Sequence, residues 1–358
     1  MKKIQIITAT LILLTSSTLL AQAQGAGAEW STLNTEAMML YRQGKYAQAV
    51  VVAKHALEVA QTNVGLDHPD VALSLNILAE LYRTQGDYVK AEPLYKRSLG
   101  ILEKKLGLDH PNVATSLNNL GILYYTQGDY AKAEPLYKRS LAIKEKVLGP
   151  DHTSVALSLN NLAELYYTQG DYVKAEPLYK RSLAIYEKTF GLDHTSVAGS
   201  LNNLAGLYRT QGDYAKAESI YKRSLAIYEK AFGLDHPVVA TSLNNLAELY
   251  RTQGDYAKAE SLYKQSLAIS KNALGPDHSE VAGSLNNLAG LYRTQGDYAK
   301  AEPLYKRSLV IWEKALGPDH PNVAISMENT ALMYRKMKRD AEAVVLERRA
   351  AHIRAIQR

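Results

Sequence analysis

The 358 residues contain no cysteine, which excludes disulfides, thiolate metal sites, a cysteine nucleophile and a lipidated N-terminal cysteine. Such a composition is compatible with an oxidising compartment. Phenylalanine and tryptophan are scarce, two of each against 25 tyrosines. A core whose rings carry a polar tip suits a thin fold in which no buried aromatic is far from water. An excess of one charge is missing as well: 42 Lys and Arg stand against 36 Asp and Glu, and outside Lys2 and Lys3 the two signs are mixed along the chain. Without a basic stripe, nucleic acid is not an expected partner. There is no Gly-rich phosphate loop, no G-x-S-x-G elbow and no H-E-x-x-H helix, so neither an enzyme nor a cofactor is expected.

Long apolar runs are confined to the start. Lys2 and Lys3, an apolar stretch from Ile4 to Leu20 and the small-residue site Ala21-Gln22-Ala23 have the layout of a secretory signal peptide cut after Ala23. An uncleaved anchor is the alternative, against which the threonines and serines at Thr8, Thr10 and Thr15 to Thr18 dilute the stretch. The mature chain is therefore expected to be secreted or periplasmic, with no membrane contact after signal removal.

What fills the rest is one unit, copied. Gly-x-Asp-His recurs at Gly65, Gly107, Gly149, Gly191, Gly233, Gly275 and Gly317, each step 42 residues with no insertion. A fixed period of this length marks a stacked array in which each unit touches only its neighbours, so it grows lengthwise and offers a long surface instead of a closed cleft. Within one copy, Leu117, Leu120, Gly121 and Tyr124 share one face of a helix A expected over Val113–Thr126. Gln127-Gly128-Asp129 breaks it, and a helix B is expected over Tyr130–Leu148 with Tyr130, Ala133, Tyr137, Ser140 and Leu141 inward. Gly149 ends helix B, and the residue after Asp-His starts the next helix A, Pro in the first turn or Thr or Ser as a cap. Pro93, Pro135, Pro177 and Pro303 fall inside helix B, where an outward-facing kink would let water satisfy the freed carbonyl.

The run L-N-N-L-A-x-L-Y-x-x-Q-G-D-Y-x-x-A-E-P-L-Y-x-R-x-L with its Gly-x-Asp-His loop resembles the long tetratricopeptide repeat of the kinesin-light-chain type, strongly from about Gly65 to Asn329. The resemblance implies an all-α, right-handed superhelical solenoid of about eight helix-turn-helix units. In that family the A helices line a concave groove that binds extended peptides, and no reaction is implied. The heptad region by which kinesin light chains join a motor is absent, so a transport role is not carried over. By register the chain reads as a signal peptide (1–23), a linker with a degenerate capping repeat (24–64), six tandem repeats (65–321) and a degenerate C-terminal capping repeat (322–358). Glu36 stands where inner copies have Leu78 or Leu120, and Asp340 and Glu347 stand where they have Tyr298 and Tyr305. Polar residues at these positions suit the ends of a finite array, expected here to be complete.

The seven Asp-His pairs offer one histidine per unit with no converging third ligand, so turn formation and capping are expected of them and a metal site is not. The asparagine ladder is the first candidate peptide-binding feature: Asn76, Asn118, Asn160, Asn202, Asn244 and Asn286, with Asn34 before them, hold one register of helix A. An amide can donate to a carbonyl and accept from an N–H, which suits an extended backbone whatever its side chains; in the family resembled, groove asparagines hold peptide backbones. Beside the ladder, two registers vary between otherwise near-identical copies. One includes Glu80, Ile122, Glu164, Gly206, Glu248 and Gly290; the other Arg83, Tyr125, Tyr167, Arg209, Arg251, Arg293 and, in the last unit, Lys336. Arg83 and Arg251 each have a glutamate three residues earlier and can neutralise it locally. Arg209 and Arg293 have glycine there and are expected to be free. The expected function is a scaffold or adaptor binding an extended, acidic protein or peptide segment, with self-association possible. The alternative is a regulatory or substrate-recruiting subunit of a separately encoded enzyme.

Overall fold

The computed structural model describes residues 25–356, so the expected signal peptide and its cleavage site lie outside the described residues. Every element among the described residues is helical. The A helices are α1 (Gly27–Arg42), α3 (Pro69–Thr84), α5 (Pro111–Gln127), α7 (Thr153–Gln169), α9 (Thr195–Gln211), α11 (Pro237–Gln253), α13 (Ser279–Gln295) and α15 (Pro321–Lys336). The B helices are α2 (Tyr46–Val64), α4 (Tyr88–Leu106), α6 (Tyr130–Leu148), α8 (Tyr172–Phe190), α10 (Tyr214–Phe232), α12 (Tyr256–Leu274), α14 (Tyr298–Leu316) and α16 (Asp340–Ile356). Among the described residues no helix is long and apolar enough to cross a membrane. The chain divides into two compact units between Ile143 and Lys144, within α6.

Helix A begins two residues earlier than its apolar pattern and ends one later, because its caps lie outside the pattern. The cap is the histidine, not the following Thr or Ser: Nδ1 of His110 accepts the Asn112 backbone N–H at 3.1 Å, and His152 that of Ser154 at 3.1 Å. Thr153 and Thr195 are first helical residues. The aspartate of the pair ties the loop forward to the B helix of the repeat it opens, as in Asp151 with Lys188 of α8 and Asp193 with Lys230 of α10. Both halves of the Asp-His signature are thereby used in structure. At the A–B turn Gly128 takes the left-handed conformation (φ 80°) and Asp129 accepts the Lys132 backbone N–H at 3.2 Å. In the last repeat Lys338 takes that turn at φ 58°.

The two helices of a repeat close on small residues. Ser140 Oγ donates to the Ala114 carbonyl at 2.7 Å, and the same bond recurs as Ser98 to Ala72, Ser224 to Ala198, Ser266 to Ala240 and Ser308 to Ala282. Bonds of this kind contribute roughly 1 kcal/mol each, and only a small side chain allows the approach they need. Pro93, Pro135, Pro177 and Pro303 all face solvent within helices that continue past them.

In the unit of residues 25–143, Val71, Ala72, Leu75, Ile101, Val113, Ala114 and Leu117 form one buried cluster. In the unit of residues 144–356 the same positions repeat as Val197, Ala198, Leu201 and Ile227, then Val239, Ala240, Leu243 and Ile269. Repeats are joined by tyrosines through their polar tips. Tyr208, Tyr250, Tyr292 and Tyr334 on A helices donate to Glu176, Glu218, Glu260 and Glu302 of the preceding B helices at 2.8–3.0 Å. Phenylalanine could not make this bond, which accounts for the choice of aromatic. One core position departs from the pattern. Where other repeats carry Leu102, Tyr186, Tyr228, Ser270 or Trp312, the chain has Lys144, 3% exposed, its Nζ donating to Ser158 Oγ at 2.8 Å.

Candidate functional site

Within the second unit α7, α9, α11, α13 and α15 touch one another in succession, whereas the B helices there make no comparable mutual contact among the described residues. The A side is therefore the closer-spaced, inner side of that stack. The candidate registers sit on these helices because helix A reserves its Leu and Tyr stripe for packing and leaves the adjoining stripe to asparagine and the variable residues.

The asparagines are already half engaged. Asn160 Nδ2 donates to Ser200 Oγ at 3.2 Å, Asn202 to Ser242 at 3.3 Å and Asn244 to Ser284 at 3.3 Å, each across to the next A helix. Asn286 Oδ1 accepts from Asn329 at 3.3 Å. In the first unit Asn76 Nδ2 donates at 2.6 Å to Ser98, on the B helix of its own repeat, and Asn118 is buried. The ladder is thus a seam between neighbouring helices, while the Oδ1 atoms of Asn76, Asn160, Asn202 and Asn244 are buried with no partner. Helical spacing located the register; the serine that receives each amide lies 40 residues away in α9 to α13, out of reach of local pattern.

The variable registers assemble around tyrosines of helix B, the register of Tyr137, which the sequence marks as packing positions and not as part of the groove. Where helix A carries glutamate, the B-helix hydroxyl donates to it: Tyr95 to Glu80 at 2.7 Å, Tyr179 to Glu164 at 2.6 Å, Tyr263 to Glu248 at 2.9 Å. Where glycine replaces it at position 290, Arg293 Nε donates to Tyr305 Oη at 3.2 Å instead. Arg83 is paired with Glu80 as its spacing predicts, and Arg251 grips Glu248 through Nε at 2.8 Å and a terminal nitrogen at 2.6 Å.

Arg209 differs from expectation. It is not free but 6% exposed, with a terminal nitrogen 3.3 Å from Glu248 of the next repeat. The pairing spans 39 residues, so an i to i+3 rule cannot see it. Its Nε is buried without a partner. Arg293 is not wholly free either, since its Nε is bonded to Tyr305, but its terminal nitrogens have no protein partner among the described residues, and a Cβ at Gly290 beside it would meet the Tyr305 hydroxyl at ordinary contact distance. In the last repeat the 42-residue step lands on Arg335 and not on Lys336, and Arg335 binds Asp340 and Glu347 at 2.9 and 2.8 Å. Tyr167 shares a hydrogen bond with Thr210 at 2.7 Å and packs 5.8 Å from Tyr172, and in the first unit Tyr125 packs 5.8 Å from Tyr130.

Burial by itself would raise the Glu248 carboxyl, but the hydrogen bonds and charge of Arg251, the charge of Arg209 and the Tyr263 hydroxyl outweigh it and hold the group below the ordinary carboxylate value. Glu248 is therefore a carboxylate at neutral pH. Among the described residues no three His, Cys, Asp or Glu side chains gather as metal ligands.

Comparison with known proteins follows this architecture. A tetratricopeptide repeat model matches residues 31–104, 74–146, 112–188, 196–272 and 280–355. Among solved structures, BtubC (BKLC) from P. vanneervenii is 26% identical over 66% of this chain and 92% of its own, with a TM-score of 0.51. A Podosopora anserina kinesin light chain protein of nearly identical TPR-like repeats is 29% identical over 57% of this chain and 97% of its own, at a TM-score of 0.47. The Rap conjugation gene regulator of plasmid pLS20, solved with the Phr* peptide, is 14% identical over 92% of this chain and 96% of its own, at a TM-score of 0.61. No curated protein matches the chain. A fold of this kind is in general a non-catalytic interaction scaffold. The 42-residue step, the paired antiparallel helices and the matches along the chain agree: it belongs to the tetratricopeptide repeat family.

Proposed function

We propose that the chain is a secreted or periplasmic adaptor that holds an extended protein segment on the A-helix face of residues 144–356, with acidic side chains of that segment over Arg251 and Arg293 and an apolar one near Tyr167. The observation that carries the acidic preference is the Arg293 guanidinium, held through Nε by the Tyr305 hydroxyl and with terminal nitrogens that have no partner among the described residues, beside Gly290, which brings no competing carboxylate. A planar fork left unpaired favours a carboxylate in bidentate geometry. Support for an extended peptide as the ligand class comes from the shared fold of the Rap regulator, which is solved with a peptide. In the first unit, Ile122 and Tyr125 offer a separate apolar stretch of the same registers, and Arg83, locked to Glu80, contributes little.

The test is affinity capture of the tagged chain from its own cell envelope, followed by calorimetry with the captured segment at two salt concentrations. Arg293→Ala is expected to weaken binding about tenfold and to flatten its salt dependence, and Arg83→Ala to change it less than about twofold. Equal losses at both sites, or binding indifferent to salt, would refute the acidic placement. Recovery of a stoichiometric enzyme would instead favour the regulatory-subunit role. The intact mass of the envelope protein should correspond to a chain starting at Gln24, and a mass that includes Met1 would refute cleavage after Ala23.

A further inference from the structure

The guanidinium groups of Arg209, Arg251 and Arg293 lie on consecutive A helices, and among the described residues they have one carboxylate partner, Glu248. That carboxylate serves three donors at once: a terminal nitrogen of Arg209 at 3.3 Å, Arg251 in fork geometry at 2.8 and 2.6 Å, and the Tyr263 hydroxyl at 2.9 Å. The group is left two positive charges in excess. The Arg209 Nε–H, buried without an acceptor, is a donor that the chain itself does not satisfy.

We infer that Glu248 is an internal competitor for the ligand's carboxylate. It occupies Arg251 and Arg209 in the manner an acidic ligand side chain would, and binding requires such a side chain to take over at least one of the two guanidinium groups. The inference rests on the acidic-segment reading proposed above and adds to it the residue that sets its strength. Fork-on-fork contact is the geometry by which arginine recognises any carboxylate, internal or external, so the two cannot both hold the same face of Arg251. The registers on either side support the role. Gly206 and Gly290 replace Glu248 one repeat before and one repeat after it without loss of the helix, so the fold does not require the carboxylate. What it supplies at repeat six is a price on binding an anion there.

The probe is a blocked hexaglutamate peptide, with hexaglutamine as its neutral match, measured by calorimetry on the full chain. Glu248→Gln should bind hexaglutamate about tenfold more tightly than the parent and hexaglutamine no differently. Glu229→Gln, the same charge change on the B helix α10, should alter binding less than about twofold. Should Glu248→Gln lose helicity by circular dichroism, Glu248→Gly, which copies the neighbouring repeats, replaces it. Measurable hexaglutamate binding by the parent that Glu248→Gln leaves unchanged, or that Glu229→Gln raises equally, overturns the competitor role and leaves the acidic groove standing. Hexaglutamate binding by neither the parent nor the variants overturns the acidic groove and the competitor with it.

Discussion

Lys144 should be a position where a charge is held in the core at a cost, and removing it should make the protein more stable. The ammonium is 3% exposed and its one hydrogen bond, to Ser158 Oγ, is neutral. Burial pushes its pKa down from 10.5 to about 8. At about 1.4 kcal/mol per tenfold change in proton affinity, that difference is worth about 3 kcal/mol. The sign follows from proton counts. Between about pH 8 and 10.5 the unfolded chain keeps the proton that the native chain has released, so stability rises with pH across this window. Below pH 8 both states are charged and the whole penalty applies. Lys144→Met keeps an unbranched chain of similar length and removes the charge. Ser158 then loses its donor, a state that Ser116 already occupies without a partner. Urea unfolding followed by the same probe for both proteins should show the variant more stable by about 3 kcal/mol at pH 7, with the gap closing as the pH is raised to 10.5. A gap that is absent at pH 7, or as large at pH 10.5 as at pH 7, would refute the argument.

Four further outcomes rest on features outside the Lys144 site. His152→Ala removes the acceptor for the Ser154 N–H and should cost about 1 kcal/mol in unfolding experiments, whereas His152→Asn should restore most of it. Burial lowers the His110 pKa below 6.5, so its cap is complete above that pH and its contribution fades as the pH falls through and below it; NMR titration of the ring should show an apparent pKa under 6.5. Lys338→Gly relieves a side chain held at φ 58° where every other repeat has glycine and should raise stability by about 1 kcal/mol. Gly121→Ala, although it restores the alanine of the other inner repeats, would put a Cβ 2.7 Å from the Tyr137 ring and should destabilise by roughly 1–3 kcal/mol, measured by thermal unfolding.

The period, the helix pair and its inward faces were legible because they depend on interactions within a few residues. Glycine at 128 breaks helix A through its own backbone freedom, and the spacing of Leu117, Leu120 and Tyr124 is read from a single turn and its neighbours. Repetition then multiplied one correct local reading across the chain. That the Asp-His pair caps and turns was legible, but that the histidine and not a following Thr or Ser is the cap was not, because its Nδ1 reaches only the second residue onward, a geometry that the usual preference for Thr and Ser hides. The electrostatics of the candidate site were out of reach for a different reason. Arg209 and Arg293 have the same local sequence, Ala-Gly-Leu-Tyr-Arg, yet one is buried against Glu248 and the other has terminal nitrogens without a partner. Stacking decides between them: the residue 39 positions ahead of Arg209 is Glu248 and the one ahead of Arg293 is Leu332, and only contact between successive A helices brings either into range. The sequence by itself determined what each repeat is; which charges are spent and which are left over was decided by how one repeat lies on the next.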